Sequence, residues 1–175
     1  SYTVPSNLFA VGNGKLRSIK KNGGKTTYEW FVGNPINNYN ISVQIGNYVA
    51  VQDTFLKDNE THFMNHYVLD YNAELASNYF PQSKEVIRFY EKYFGNYQWY
   101  EDGYKLIEVP YLGMEHQSAV TYGNGFSIYN GVRSKSWPMY GVIDPLIIHE
   151  TGHEWFGNSV TASDPTHIWI HEGLQ

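Results

Sequence analysis

Apolar and polar residues alternate in short runs through the first third of the chain. Ile41-Ser42-Val43-Gln44-Ile45 has the two-residue period of a strand buried on one face. Thr26-Thr27-Tyr28-Glu29-Trp30-Phe31 is rich in strand formers, and Tyr48-Val49-Ala50-Val51 continues the extended pattern after a bend at Gly46. Gly12-Asn13-Gly14 and Lys21-Asn22-Gly23-Gly24 are turn signals, and Asn34-Pro35 with Asn37, Asn38 and Asn40 marks a loop. Residues 1–52 therefore read as β-structure, the edge of a sheet or the end of a β-sandwich, carrying no chemistry of its own.

From about residue 53 the pattern changes. Pro81 opens a predicted helix through Ser83–Phe94 that stops at Gly95. Val86, Phe89, Tyr90, Tyr93 and Phe94 share one broad face of that helix, and the aromatic stripe predicts core packing. Lys105–Val109 and Ser118–Tyr122 predict two short strands. A further helix is predicted from Asp144, a good N-cap, with Pro145 in the first helical position, running to a stop at Gly157-Asn158. Asp164-Pro165 repeats the start signal. The fold class is α+β, with a β-rich part over 1–52 and a second part over 53–175.

The helix beginning at Asp144 carries His149-Glu150-Thr151-Gly152-His153. Residues four apart lie one turn above each other on a helix, so two imidazoles can share one ion. This His-Glu-x-x-His pattern is that of zinc peptidases, with the histidines as ligands and Glu150 as base. A catalytic zinc typically takes three protein ligands and leaves a position open. The third is expected downstream, where eighteen residues separate His153 from Glu172. A helix–loop–helix hairpin would return Glu172 to the two histidines.

Composition narrows the chemistry further. The 175 residues carry a formal net charge of −5, which gives no reason to expect a nucleic-acid partner. There is no cysteine, so disulfides, thiolate metal sites and thiol nucleophiles are excluded. No apolar run reaches transmembrane length. The 16 tyrosines predict aromatic-rich surfaces or clefts. With the many asparagines and the missing cysteine, they favour a periplasmic, envelope-associated or secreted setting over the cytoplasm.

Three stretches together resemble the zinc aminopeptidases of the aminopeptidase N type, a branch of the gluzincins. These are Gly113-Met114-Glu115, then His149-Glu150-x-x-His153 running into Trp155-Phe156-Gly157-Asn158, then Trp169-x-x-Glu172-Gly173. The resemblance implies that residues 1–52 are the end of an N-terminal β domain. It implies that 53–175 are the first half of a thermolysin-like catalytic domain. It implies one Zn2+ held by His149, His153 and Glu172, with Glu150 as general base. Glu115 would pair with the free α-amino group of a peptide substrate, and Gly113 and Met114 would lie on the strand lining that substrate.

The chain departs from the family pattern in two places. The usual Gly-Ala-Met-Glu-Asn is here Leu112-Gly113-Met114-Glu115-His116, and His171 stands where an asparagine precedes the ligand glutamate. The family also has an oxyanion-stabilising tyrosine and a large helical domain, both expected beyond Gln175. The chain is therefore expected to be a piece of a larger enzyme, with little peptidase activity alone. The alternatives are a lapsed family member that only binds peptides or acts as a scaffold, and a hydrolase of a non-peptide substrate on the same zinc frame. His116 and His171 are expected to be structural. His62, His66 and His167 have no partners at ligand spacing.

Overall fold

The computed structural model describes residues 1–126 and 143–174. Its first part is a set of short antiparallel strands. Strands β1 (Tyr2–Pro5), β3 (Lys15–Asn22) and β4 (Lys25–Phe31) form one sheet in the order β1-β4-β3. Strand β2 (Phe9–Gly12) pairs with β5 (Val43–Gly46) in a second. The turn signals fall where the chain reverses. Gly14, between β2 and β3, has φ +75°, and a Cβ there would lie 2.0 Å from the Phe31 carbonyl oxygen. Only glycine fits such a close approach in the left-handed region.

Strands β6 (Tyr48–Lys57), β7 (Glu60–Leu69), β8 (Leu106–Glu108), β9 (Gly113–Met114) and β10 (Val120–Tyr122) form a mixed sheet in the order β6-β7-β8-β10-β9. β6 and β7, ten residues each, make a hairpin closed by Asp58 and Asn59, both at positive φ. Such a two-residue turn matches the twist of the strands it joins. β-structure thus continues well past residue 52, and β6 runs through that position unbroken. Residues 58–80, for which the hydropathy pattern gave no element, hold β7 and helix α1 (Ala73–Tyr79). The Asp-Asn turn was the local signal for the hairpin.

The inner strands of this mixed sheet are buried on both faces. Val68, Leu106 and Val120 point into the main core with Phe80, Ile87 and Ile147. Their chain neighbours Tyr67, Ile107 and Ala119 point the other way, into a smaller cluster with Val11 and, at its margin, Trp30. Successive strand residues face opposite sides, so one sheet serves both layers. The helical layer lies on the first side. Helix α2 (Ser83–Phe94) has the predicted bounds, is led in by a 3-10 turn at Phe80–Gln82, and ends at Gly95 with φ +94°.

Two burial expectations are corrected. On α2 the buried residues are Ser83, Val86, Ile87 and Tyr90, whereas Phe89 and Tyr93 are 54% and 60% exposed and Phe94 is half-exposed. The face that meets the sheet is centred on Val86 and Tyr90. The remaining rings flank it, Phe89 lying tilted against Tyr93 with ring centres 4.9 Å apart. On β5 the apolar positions Val43 and Ile45 are the exposed ones, and Ile41 before them is exposed too. The period was right and its inward side was inverted. No helix among the described residues is long and apolar enough to cross a membrane.

Candidate metal centre

Helix α3 (Pro145–Gly152) starts as expected. Asp144 accepts the Leu146 N–H at 2.8 Å, and Pro145 fills the first position. The helix packs Leu146 and Ile147 into the core, which turns His149 and His153 toward the opposite side. It ends earlier than predicted. His153 is its C-cap, and the following bonds change from three-residue spacing (Trp155 N–H to Gly152 O, 3.0 Å) to five-residue spacing (Asn158 N–H to His153 O, 2.9 Å). The residues that follow Gly152 take long-range side-chain partners. Glu154 is buried against residue 118, and the Trp155 indole donates to Gly95 O at 2.8 Å.

The second start signal also forms. Asp164 accepts from the Thr166 N–H and hydroxyl, opening a 3-10 turn at Pro165–His167 that leads into the single helical turn α4 (Trp169–Glu172). His171 is buried and accepts the Ala162 N–H at 2.9 Å, which fixes α4 against the preceding loop.

These elements bring three side chains to one place. The two Nε2 atoms of His149 and His153 are 3.3 Å apart. Glu172 reaches them through Oε2 at 3.5 Å and Oε1 at 3.8 Å. A tetrahedral zinc with bonds of about 2.0–2.1 Å keeps its ligand atoms about 3.3–3.4 Å apart, so the donors have nearly the required spacing. Their chemistry fits too, since two imidazoles and a carboxylate are a catalytic zinc set. His153 Nδ1 lies 3.0 Å from the Phe156 carbonyl. A carbonyl only accepts, so Nδ1 carries the proton and Nε2 presents a lone pair to the site. Burial, followed by the neighbouring His153, lowers the pKa of His149 and favours its neutral, ligating form.

Glu150 and Glu115 complete the site. Glu150 is buried, and its Oε2 has no hydrogen-bond partner among the described residues. A buried orphan carboxylate oxygen is costly unless something polar is brought to it. Burial, then the charges of Glu115 and Glu172, raise the pKa of Glu150 to about 8. A divalent cation beside it would oppose that shift by favouring the charged form. Ligand atoms of Glu115, Glu150 and His153 lie within 4.8 Å of one another, so two carboxylates stand side by side next to the histidines. β9 runs close above: a Cβ at Gly113 would be 2.6 Å from Glu150 Oε1. Met114 pairs with Thr121 of β10, and β9 is the outer strand of its sheet.

The asparagine loop, read from sequence as inert, contributes here. Asn40 is buried and donates to Asn158, and Asn37 donates to Thr161 at 2.9 Å. Tyr39 is 42% exposed, and desolvation of its phenol, followed by the charge of Glu115, pushes the phenol up to about 12. Glu154, Asn158 and Ser118 were also passed over as functional positions. No local pattern marks them, because their partners are distant in the chain.

Comparison with known proteins bears on the family and the fold. The family model for the peptidase family M1 domain matches residues 78–175. The leucyl aminopeptidase of Saccharolobus solfataricus is 25% identical over 183 residues, covering 98% of this chain and 21% of its own. Human glutamyl aminopeptidase is 28% identical over 184 residues, covering 99% and 18%. Aminopeptidase N of Haemophilus influenzae is 26% identical over 174 residues, covering 95% and 19%. The chain thus spans about a fifth of the length of these relatives. Among solved structures, an M1 zinc metallopeptidase from Deinococcus radiodurans superposes with a TM-score of 0.76 at 19% identity, covering 98% of this chain and 36% of that one.

Proposed function

The chain belongs to peptidase family M1, and on that footing we propose that it carries the zinc-binding, base and amino-anchoring residues of an aminopeptidase that removes the first residue from peptides with a free N-terminus. The observation that carries this reading is the meeting of His149, His153 and Glu172, with Glu150 and Glu115 beside them. His149 and His153 would hold the ion through Nε2 and Glu172 through its carboxylate. When bound, zinc supplies Lewis acidity, which polarises the scissile carbonyl and makes water more acidic.

The remaining work falls to the chain's own side chains. Glu150 takes a proton from the attacking water on its carboxylate, whose buried Oε2 has no partner among the described residues, and hands it to the departing amine. Its buried setting keeps competing water away and strengthens the transfer. Glu115 receives the substrate α-ammonium in a charge-assisted hydrogen bond. Because Glu115 stands a fixed reach from the histidines, only the first peptide bond is presented to Glu150. The outer edge of β9 at Gly113 and Met114 is available to pair with an extended peptide.

The test is hydrolysis of aminoacyl chromogenic substrates by the full-length, zinc-loaded protein. Glu150→Gln is expected to lower kcat by a thousandfold or more, at the upper part of the range for general base catalysis. Zinc stoichiometry is expected to stay at the wild-type value. Activity within about tenfold of wild type would remove Glu150 as the base. A wild-type protein that holds zinc and peptides but cleaves neither peptides nor aminoacyl substrates would favour the binding alternative.

A further inference from the structure

Resting on the aminopeptidase reading, we infer that Asn158 is a positioning residue for Glu115, setting the reach between the metal ligands and the point where the substrate amine is held. Asn158 is buried, five residues beyond His153. Its Nδ2 donates to the main-chain oxygen of Glu115 at 3.0 Å and to Glu154 Oε2 at 3.1 Å. The main-chain oxygen of Glu115 can only accept, so the amide is fixed with nitrogen toward it and Oδ1 toward the Asn40 Nδ2 that donates to it. The contact is therefore specific to an amide: it needs a donor on one side and an acceptor on the other.

Glu154 completes the tie. It follows His153 directly, and its Oε1 accepts the Ser118 N–H at 2.8 Å and the Tyr97 hydroxyl at 3.2 Å. Ser118 adopts φ +58°, a conformation L-residues rarely take. Such backbone persists only where the surroundings over-determine it. Here Gly14 N–H donates to Ser118 Oγ at 2.9 Å and Lys105 Nζ donates to Ser118 O at 2.6 Å. Sheet pairing does not supply this constraint, because β9 ends at Met114, one residue before Glu115. The segment from Glu115 to Ser118 is instead clamped to the segment that follows His153 by two buried side chains. Of these, Asn158 alone touches Glu115 itself.

The consequence is selective. Losing the Asn158 donor should loosen the amine anchor while leaving the ion and the base in place. The experiment uses the full-length, zinc-loaded protein and two competitive metal-directed probes, L-leucine hydroxamate and its desamino counterpart, isocaproic hydroxamate. The wild type is expected to prefer the amine-bearing probe. Asn158→Ala is expected to weaken L-leucine hydroxamate by about tenfold or more and isocaproic hydroxamate by less than about threefold, with zinc content unchanged. Asn158→Leu, which keeps the shape but has no donor, is expected to behave the same way if the alanine variant folds poorly. Preference for the amine retained in the variants overturns this inference alone. An equal loss for both probes also overturns it, since it would report general disruption of the site. A wild type with no preference for the amine overturns the aminopeptidase reading and this inference with it.

Discussion

Removing the carboxylate of Asp144 tests how the metal-bearing helix is held. Asp144 is fully buried and accepts four donors: Leu146 N–H (2.8 Å), Tyr122 OH (2.7 Å), Tyr79 OH (2.9 Å) and Asn124 Nδ2 (3.0 Å). These tie the start of α3 to α1, to β10 and to the residues just after β10. In Asp144→Ala, loss of the helix cap costs about 1 kcal/mol. Each of the three side-chain donors loses a charged acceptor worth about 1.5–3 kcal/mol. Relief of the buried charge offsets part of this, because taking a carboxylate out of water costs several kcal/mol. The expected net loss is about 3–5 kcal/mol, a large share of an ordinary domain's stability. Asp144→Asn keeps an acceptor for Leu146 N–H, and the two hydroxyls can rotate to accept from its amide, so a loss of only about 1–2 kcal/mol is expected. Urea unfolding followed by tryptophan fluorescence measures both, since Trp155 packs in the same core. An alanine variant within about 1 kcal/mol of wild type at unchanged m-value would refute this account of the network.

The remaining predictions are local. His66 is buried, accepts the Leu106 N–H through Nδ1, and burial lowers its pKa from 6.5 to about 4. The unfolded chain binds the extra proton between those values, so stability is full above pH 6.5 and falls by about 3 kcal/mol as pH drops toward 4. His66→Phe should flatten that part of a Tm-against-pH curve; an unchanged slope would point to other groups. Gly14→Ala should cost more than about 2 kcal/mol in chemical denaturation, because the new Cβ meets backbone at 2.0 Å in a left-handed turn. Gly113→Ala installs the residue usual in the family pattern; its Cβ meets chiefly the Glu150 carboxylate, at 2.6 Å, with the Thr121 backbone oxygen at 3.1 Å. Stability should change by less than about 1 kcal/mol while kcat shifts, and a larger loss would mean that β9 and not the carboxylate had moved.

Much of the site was legible because it is local. Two histidines four apart on a helix point the same way in any fold that keeps the helix, and a cap at Asp144 with Pro145 behind it specifies where that helix begins. The bounds of α2 followed from the same kind of signal, with Gly95 as its stop. What the pattern could not give was the side that each amphipathic element presents. The stripe on α2 and the alternation on β5 have the right periods, yet Phe89, Tyr93, Val43 and Ile45 are exposed, because burial depends on which neighbour arrives. The early end of α3 likewise lies where Glu154 and Trp155 take partners distant in the chain.

By itself, then, the sequence determined the chemistry available: a His, Glu, His helix, a downstream acid, no thiol, and an α+β frame. Those depend on residue types and on hydrogen bonds spanning a few residues. The tertiary structure alone decided what stands beside them. Asn158 bonds to Glu115 across 43 positions, and Asn40 reaches Asn158 across 118. Contacts of that span leave no periodic trace in a chain. They exist only once the inner strands of the mixed sheet, buried on both faces, have brought its helical and β layers together.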